Sequence, residues 1–336
     1  MIRRAWLSSI SIGVLLSAAA FGAVPTQDQS SMFDFHSGFW INLHQFIYAD
    51  ASSSLPPQKA RPTLRINQAD ADIIKHLSPS EQAAWKGFVA YYAANYIQRD
   101  LLFDDLLFDI KVKLESAEAS PDLKGADIPA ELKSVLLQAA PIYRKYWWTR
   151  HDAQNRRWVA QLHPLLAKHG LQVRRSLETV YETVWPTQQV RVETVAYANW
   201  SGAYTSLHPT QPTISTTDTS NQGTAALEVI FHECSHGMVD KLQDAIKDAI
   251  STLPAERQKA ISGSLWHAVL FYTAGELIAE NYPGYEPYAD HAGLWARAWP
   301  DPIRALIIQD WKPHMDGSVT LNGAVAKLLN DLASSH

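Results

Sequence analysis

The stretch His232-Glu233-Cys234-Ser235-His236 constrains the fold of this chain more than any other. It lies within an apolar run, from Ala225 to Val239, whose composition is typical of a buried helix. On a helix the two histidines stand one turn apart on the same face. A buried polar group without a partner costs free energy, so these side chains need partners inside the protein. The sequence predicts either a metal ion bound by both imidazoles, or two core histidines bonded to backbone with Glu233 in a salt bridge.

The spacing H-E-x-x-H favours the metal. Two imidazoles at positions i and i+4 can bind one ion, and the glutamate beside the first can reach a water on that ion. The neighbouring Cys234 is the only cysteine, so the chain forms no intramolecular disulfide. It falls about 200° around the helix from His232, and we expect it to pack inward without binding the metal.

The N-terminus has the pattern of an export signal, predicted over residues 1–23. Arg3 and Arg4 precede an apolar stretch that ends in small residues suited to cleavage, and residues 24–31 follow as a polar linker. No other hydrophobic run is long enough to span a membrane. We therefore expect an exported protein, periplasmic or extracellular, without a stable membrane span after cleavage. The net charge of −5 gives no electrostatic support for nucleic-acid binding.

The remaining pattern predicts an α+β fold that is predominantly helical. Residues 32–186 read as a helical N-terminal region, with a first helix beginning at Ser31 or Asp34 and another beginning at Ser78-Pro79-Ser80-Glu81.

Residues 187–336 are predicted to form the catalytic region, either as a separate unit or in one compact domain with the helices before it. Between about 188 and 217, β-branched residues alternate with turn residues, which indicates a short antiparallel sheet ahead of the metal helix. A second apolar helix is predicted from about Ile261 to Asn281. The sheet is expected to pack beside the metal helix and this second, ligand-bearing helix.

That second helix contains the candidates for a third metal ligand. Catalytic zinc commonly has three protein ligands and one open position. Glu276 and Glu280 lie one turn apart among apolar residues, where a buried carboxylate needs a cation or hydrogen bonds. We predict that Glu276 binds the metal and that Glu280 holds the ring N–H of a ligand histidine. His267, nine residues before Glu276, is about half a turn out of phase and is predicted to be structural or to support a ligand from behind. A three-histidine site of the extended-motif kind needs a histidine soon after His236, and residues 238–246 contain none.

At this point the chain resembles the gluzincin metallopeptidases, the group that includes thermolysin-like enzymes, over about residues 190–280. The resemblance rests on His232-Glu233-x-x-His236 followed by Glu276 and, one turn later, Glu280. It implies zinc as the cofactor, Glu233 as the general base, Glu276 as the third ligand and Glu280 as the acid that orients a ligand histidine. The gap of 276 − 236 = 40 residues is longer than in compact members of the group.

The resemblance also implies how a substrate would bind. Ala198, Asn199 and Trp200 correspond to the edge-strand segment with which gluzincins bind a substrate backbone. A donor for the developing oxyanion is expected from the loop after the second helix, where Tyr285, Tyr288 and His291 are the candidates.

Two hypotheses follow for the function. The first is an exported zinc metallopeptidase that cleaves a peptide or protein substrate, with Glu233 passing a proton from water to the leaving amine. The second is a non-catalytic module in which the metal ties helices together or supports ligand binding. The first hypothesis requires a carboxylate beside the two histidines, either Glu276 or Glu280 from the later helix or another acid in their place.

Overall fold

The computed structural model describes residues 32–54, 64–101, 104–259, 261–299 and 301–335. The predicted signal peptide and linker, residues 1–31, lie outside the described residues. Within the described ranges the chain is predominantly helical with one small sheet, which confirms the predicted α+β class. In those ranges, every helix is too short or too polar to cross a membrane.

The first half of the chain is one strand followed by helices. Their bounds are β1 Phe33–His36, α1 Phe39–Ser53, α2 Gln68–Lys75, α3 Pro79–Asn95, α4 Asp105–Ser116, α5 Ala130–Tyr143, α6 Thr149–Leu165 and α7 Leu171–Val180. The predicted start of α3 is confirmed, because Ser78 and Glu81 form a reciprocal capping box with Pro79 in the first turn. Single π-helical turns, Arg144–Trp148 and Leu166–Gly170, connect α5, α6 and α7.

The sheet differs from the sequence prediction in two ways. Its later strands are β2 Val190–Val195, β3 Ala203–Ser206 and β4 Gln211–Ser215, in the spatial order β1-β2-β4-β3. Only β3 and β4 are antiparallel, whereas β2 runs parallel to both β1 and β4, so the prediction of an antiparallel sheet is wrong. The missed strand is β1, which was predicted as the start of a helix. Four residues are too few for a period-2 pattern to show, and the pairing partner lies far away in sequence.

The second half of the chain is again helical. Its helices are α8 Thr224–Ser235, α9 Asp240–Thr252, α10 Ala255–Gln258, α11 Leu265–Asn281, α12 Tyr288–His291, α13 Leu294–Ala298, α14 Ile303–Leu306, α15 Lys312–Met315 and α16 Leu321–Ser334. The H-E-x-x-H stretch spans the last turn of α8, and His236 is the residue that caps it. The predicted second apolar helix corresponds to α11.

Two hydrophobic cores meet at the sheet. One is built mainly from α1, α3, α4 and α5, and the other from α6 and α7 together with α8, α11 and α16. Each core also takes residues from the other half of the chain, since Met32 and Phe33 belong to the second core and residues 195–198 to the first. The edge strand β3 contacts both sides, because Thr205 bonds to α8 while Ser206 accepts a hydrogen bond from Lys111 of α4. This alternation places one face of β3 against the H-E-x-x-H helix.

Candidate metal centre

The H-E-x-x-H stretch at the end of α8 is buried from His232 to Ser235, and His236 is half-buried. His232 and Glu233 are each 5% exposed, and Cys234 is fully buried. Burial raises the pKa of the Cys234 thiol well above its usual value, so this side chain packs as an apolar group. Its inward position agrees with the sequence prediction. The histidines point the other way, toward α11.

The third side chain of the site is His267, from the first turn of α11. One nitrogen from each of His232, His236 and His267 lies within 4.8 Å of the others. The three rings form a nearly equilateral triangle, with centroids separated by 5.2, 5.3 and 5.0 Å. The Nε2 atoms of His232 and His267 face each other at 3.3 Å. In the part of the chain that the structure describes, this is the one group of three or more such side chains that converges on a point.

These distances fit a tetrahedral ion. Zinc binds histidine nitrogen at about 2.0–2.1 Å, so two imidazoles in a tetrahedral site place their nitrogens about 3.3 Å apart and their ring centroids about 5 Å apart. The same 3.3 Å is long for a hydrogen bond between nitrogens, which is usually about 2.9–3.0 Å. The donor set is chemically suitable, since three imidazoles leave one tetrahedral position for water.

Electrostatics keeps the three rings neutral. Burial lowers the pKa of His236 to about 4 and, with the nearby His236, lowers that of His267 to about 3. Burial and the two neighbouring rings hold the pKa of His232 well below its usual value. A neutral imidazole has the free lone pair that a metal ion needs. The site is therefore ready to bind a cation at neutral pH without releasing protons from its histidines.

Ring packing fixes the orientation of His232. Its Nδ1 atom is buried and has no hydrogen-bond partner within the described residues. Metal-binding histidines usually donate from their second nitrogen to an oxygen, which holds the ring in place. Here Phe271, one turn after His267 on α11, lies with its ring centroid 4.0 Å from that of His232. Phe271 also packs 4.7 Å from His267, so a single aromatic ring supports two of the three imidazoles.

Glu233 is held beside this group by the edge strand. The Thr205 hydroxyl lies 2.7 Å from Glu233 Oε2 and 3.0 Å from the backbone oxygen of Glu233. Burial raises the pKa of Glu233 to about 7, although Thr205 and the charge of Lys111 lower it. A carboxyl group near pH 7 can both accept and return a proton under physiological conditions.

The structure does not place Glu276 or Glu280 in the site. Glu276 Oε1 contacts Lys312 Nζ at 2.5 Å, and Glu280 Oε1 lies 3.4 Å from the same nitrogen. Their side chains are 26% and 49% exposed, so the premise of buried carboxylates was wrong. His267 occupies the place that was predicted for Glu276. Because nine residues turn a helix through about 900°, His267 and Glu276 point in opposite directions, and only one of them can face α8.

The sequence did contain a signal for His267. Its half-turn phase difference from Glu276 means that only one of the two can face α8, and the resemblance to gluzincins favours the carboxylate. The three-histidine alternative was set aside because no histidine follows closely after His236. The structure instead brings the third histidine from a separate helix, 31 residues later in the sequence than His236.

The predicted substrate segment is also corrected. Ala198, Asn199 and Trp200 lie in the turn between β2 and β3, not in a strand. The Asn199 side chain organises this turn, because its Oδ1 accepts from the Ser201 amide at 2.8 Å and its Nδ2 donates to the Ala203 oxygen at 3.0 Å. The edge strand nearest the site is β3.

One of the three predicted oxyanion donors remains suitable. The Tyr285 hydroxyl donates to Glu228 at 2.6 Å, and His291 is 72% exposed and contacts Glu286. Tyr288 stacks on Phe271 at 5.9 Å, on the side of α11 that carries His267. Burial raises the pKa of Tyr288, and the charges of Asp218, Glu228 and Glu233 add to this effect against Arg297. The phenol therefore stays protonated and can donate a hydrogen bond.

Comparison with known proteins does not add a relative. No protein-family model matches the chain, and searches of curated proteins and of solved structures found no match. The assignment of the site depends on its own geometry.

Proposed function

We propose that this chain is a zinc-dependent hydrolase that cleaves peptide bonds. The observation that carries the proposal is the convergence of three neutral, largely buried imidazoles on one point, with a buried carboxylate of raised pKa beside them. His232, His236 and His267 would hold the ion. The carboxylate ligand that the gluzincin hypothesis requires is not among the described residues of this group, and a third imidazole takes its place, since three imidazoles also leave zinc one position for water. When bound, zinc would lower the pKa of a water molecule and polarise the scissile carbonyl.

The role of general base belongs to Glu233. It is adjacent to a ligand histidine, yet its carboxylate is bonded to Thr205 and is not part of the histidine group. A purely structural metal site has little use for such an acid. Glu233 would accept the proton of the attacking water and pass it to the leaving amine. Thr205 keeps the carboxylate in one orientation during both transfers.

The oxyanion would be stabilised by Tyr288. Its phenol stays protonated, and its ring stacks on Phe271, the residue that packs against His232 and His267. A donor that is already in position when negative charge develops stabilises the transition state more than the ground state.

Support for a peptide substrate comes from the open edge of β3. The Ser215 amide donates to the Gly202 oxygen, which makes Gly202 and Ser215 a hydrogen-bonded pair. Pairs alternate along an antiparallel ladder, so Thr205, opposite Pro212, directs its own N–H and C=O away from β4. No strand covers that edge in the described ranges. An extended peptide that paired with Thr205 would pass directly by Glu233.

The test is the variant Glu233→Gln with a panel of unstructured peptides as substrates. We expect zinc to bind at one ion per chain as in the wild type, and hydrolysis to fall by at least about 100-fold, since a general base contributes about 10²–10⁴-fold. Metal content is measured by elemental analysis and cleavage by mass spectrometry. Glu276→Gln is the matched control and should retain both properties.

The same experiment also tests the alternative hypothesis, in which the chain is a non-catalytic module stabilised by the metal. Zinc bound at one ion per chain, with no cleavage of any peptide by the wild type, would favour a metal-stabilised module. Cleavage by Glu233→Gln at the wild-type rate would remove Glu233 from the mechanism.

A further inference from the structure

A second buried carboxylate on α8 lies outside the histidine group. Glu228 is 2% exposed and is one helical turn before His232. Its carboxylate accepts hydrogen bonds from the Tyr285 hydroxyl at 2.6 Å and from the Tyr288 backbone N–H at 3.0 Å. No lysine, arginine or histidine in the described ranges forms an ion pair with it. Glu228 is therefore a buried acid whose partners all lie in one segment of chain.

We propose that Glu228 is a positioning residue that fixes the segment 285–288 and thereby sets the place of Tyr288 beside the metal centre. The role of Tyr288 in this inference rests on the proposed function. The hydrogen bonds from Tyr285 and Tyr288 to Glu228, which we call the clamp, do not depend on that function. The clamp requires a carboxylate at position 228. Glu228 Oε2 accepts from both the Tyr285 hydroxyl and the Tyr288 N–H, and Oε1 also lies 3.2 Å from the Tyr288 nitrogen. A glutamine would replace one of these two oxygens by an NH2 group, which sets a donor against the Tyr288 N–H.

The packing around the segment shows why its position is narrowly defined. Gly275 of α11 lies against it, and a Cβ at this position would stand 2.6 Å from Pro287 Cβ and 3.3 Å from Glu228 Oε1. Glycine thus permits α11, the segment and the carboxylate to meet. These contacts bring together the two helices that provide the histidines and the segment that provides Tyr288.

Packed aromatic rings connect the segment 285–288 to the three histidines. The Tyr288 ring packs on Phe271 with an interplanar angle of 22°, and Phe271 packs on His232 and His267. A shift of the Tyr288 backbone would therefore move the phenol relative to Glu233 and the metal ligands. Burial raises the pKa of Glu228 to about 7, while the donors Tyr285 and Tyr288 lower it. The two hydrogen bonds thus favour the charged acceptor form on which the clamp depends.

The first experiment measures how firmly Glu228 holds the segment 285–288, and it does not depend on enzymatic activity. Hydrogen exchange is followed by mass spectrometry in the full chain, wild type and Glu228→Gln, with zinc bound. We expect exchange of the peptide that contains the Tyr288 amide to increase by at least about tenfold, with other segments unchanged, because a local opening raises exchange only where it occurs. Tyr285→Phe removes one donor and keeps the carboxylate, so it should give a smaller increase in the same peptide. Glu276→Gln is the control with an equivalent change on α11.

The second experiment measures the consequence for catalysis. In the double variant Glu228→Gln/Tyr288→Phe, the loss of kcat should be no larger than in Tyr288→Phe alone, because both changes remove the same interaction. A merely structural role of Glu228 would instead give losses that multiply.

Three outcomes would overturn the proposal. They are unchanged exchange at Tyr288 in both Glu228→Gln and Tyr285→Phe, multiplicative losses in the double variant, and weakened zinc binding with unchanged exchange. If the wild type cleaves no peptide, the proposed function fails, and the exchange experiment still decides whether Glu228 holds the segment.

Discussion

The two ends of α11 carry polar side chains with opposite surroundings. Near its start, His267 is enclosed by two other histidines and Phe271, and burial lowers its pKa to about 3. Near its end, Glu276 and Glu280 are partly exposed and share Lys312. The first group is neutral and has a lone pair available, whereas the second is already neutralised by a cation. The comparison shows that helix orientation and burial decide which side chain lies beside the two histidines of α8. That side chain is not always the one that a motif suggests.

The largest expected effect comes from removing His267. His267→Ala leaves two imidazoles, and zinc affinity should fall by at least about 100-fold, since even removing a group that only supports a ligand costs about 10–100-fold. Isothermal titration at pH 7 measures the affinity. His291→Ala removes an exposed histidine and is the matched control. Equal zinc affinity in His267→Ala and wild type would contradict the three-histidine site and restore the carboxylate end of α11 as a candidate.

The next largest effect is expected at Tyr288. Tyr288→Phe keeps the ring that packs on Phe271 and removes only the hydroxyl. We expect kcat to fall by about 10²–10³-fold with zinc affinity unchanged, as for loss of an oxyanion donor. Steady-state kinetics on one cleaved peptide measures this, with Tyr282→Phe as the control. A rise in KM alone would indicate that the phenol binds substrate without stabilising the transition state.

The pH dependence should shift when Thr205 is changed. The general base must be deprotonated, so kcat/KM should rise with pH through the pKa of Glu233. The Thr205 hydroxyl lowers that pKa, and Thr205→Val should therefore move the rising limb to higher pH at the same zinc loading. Thr205→Ser retains the hydroxyl and should behave as wild type. A limb that moves to lower pH, or not at all, would show that Thr205 does not tune the base.

The smallest effect is expected at the other end of α11. Glu276→Gln removes a partly exposed ion pair, and such pairs contribute about 0–1 kcal/mol to stability. Zinc affinity and kcat should remain within about twofold of wild type, since the side chain faces away from the histidines. Titration calorimetry measures zinc affinity, steady-state kinetics measures kcat, and thermal unfolding measures stability. If Glu276→Gln lost zinc while His267→Ala retained it, the metal ligand would be Glu276 and the proposed role of His267 would be wrong.

Local features of the fold could be predicted where the signal was local. The capping box at Ser78 and the α8 run depend on residues that are neighbours in sequence, and both were recognised. The strand β1 was missed because its partner, β2, lies about 150 residues later. The mixed sheet depends on that pairing, and no local pattern encodes it.

The candidate site also has one part that local sequence predicts and one part that depends on tertiary packing. His232, Glu233 and His236 lie within one helical turn, so the sequence by itself determined that two imidazoles and a carboxylate would share a small region. Which side chain completes that region was decided only by how α11 packs against α8. His267 and Glu276 point in opposite directions, so the rotation of α11 about its axis decides which of them faces α8. Rotation is set by the apolar contacts of both helices with the surrounding core, which are distributed over distant parts of the chain.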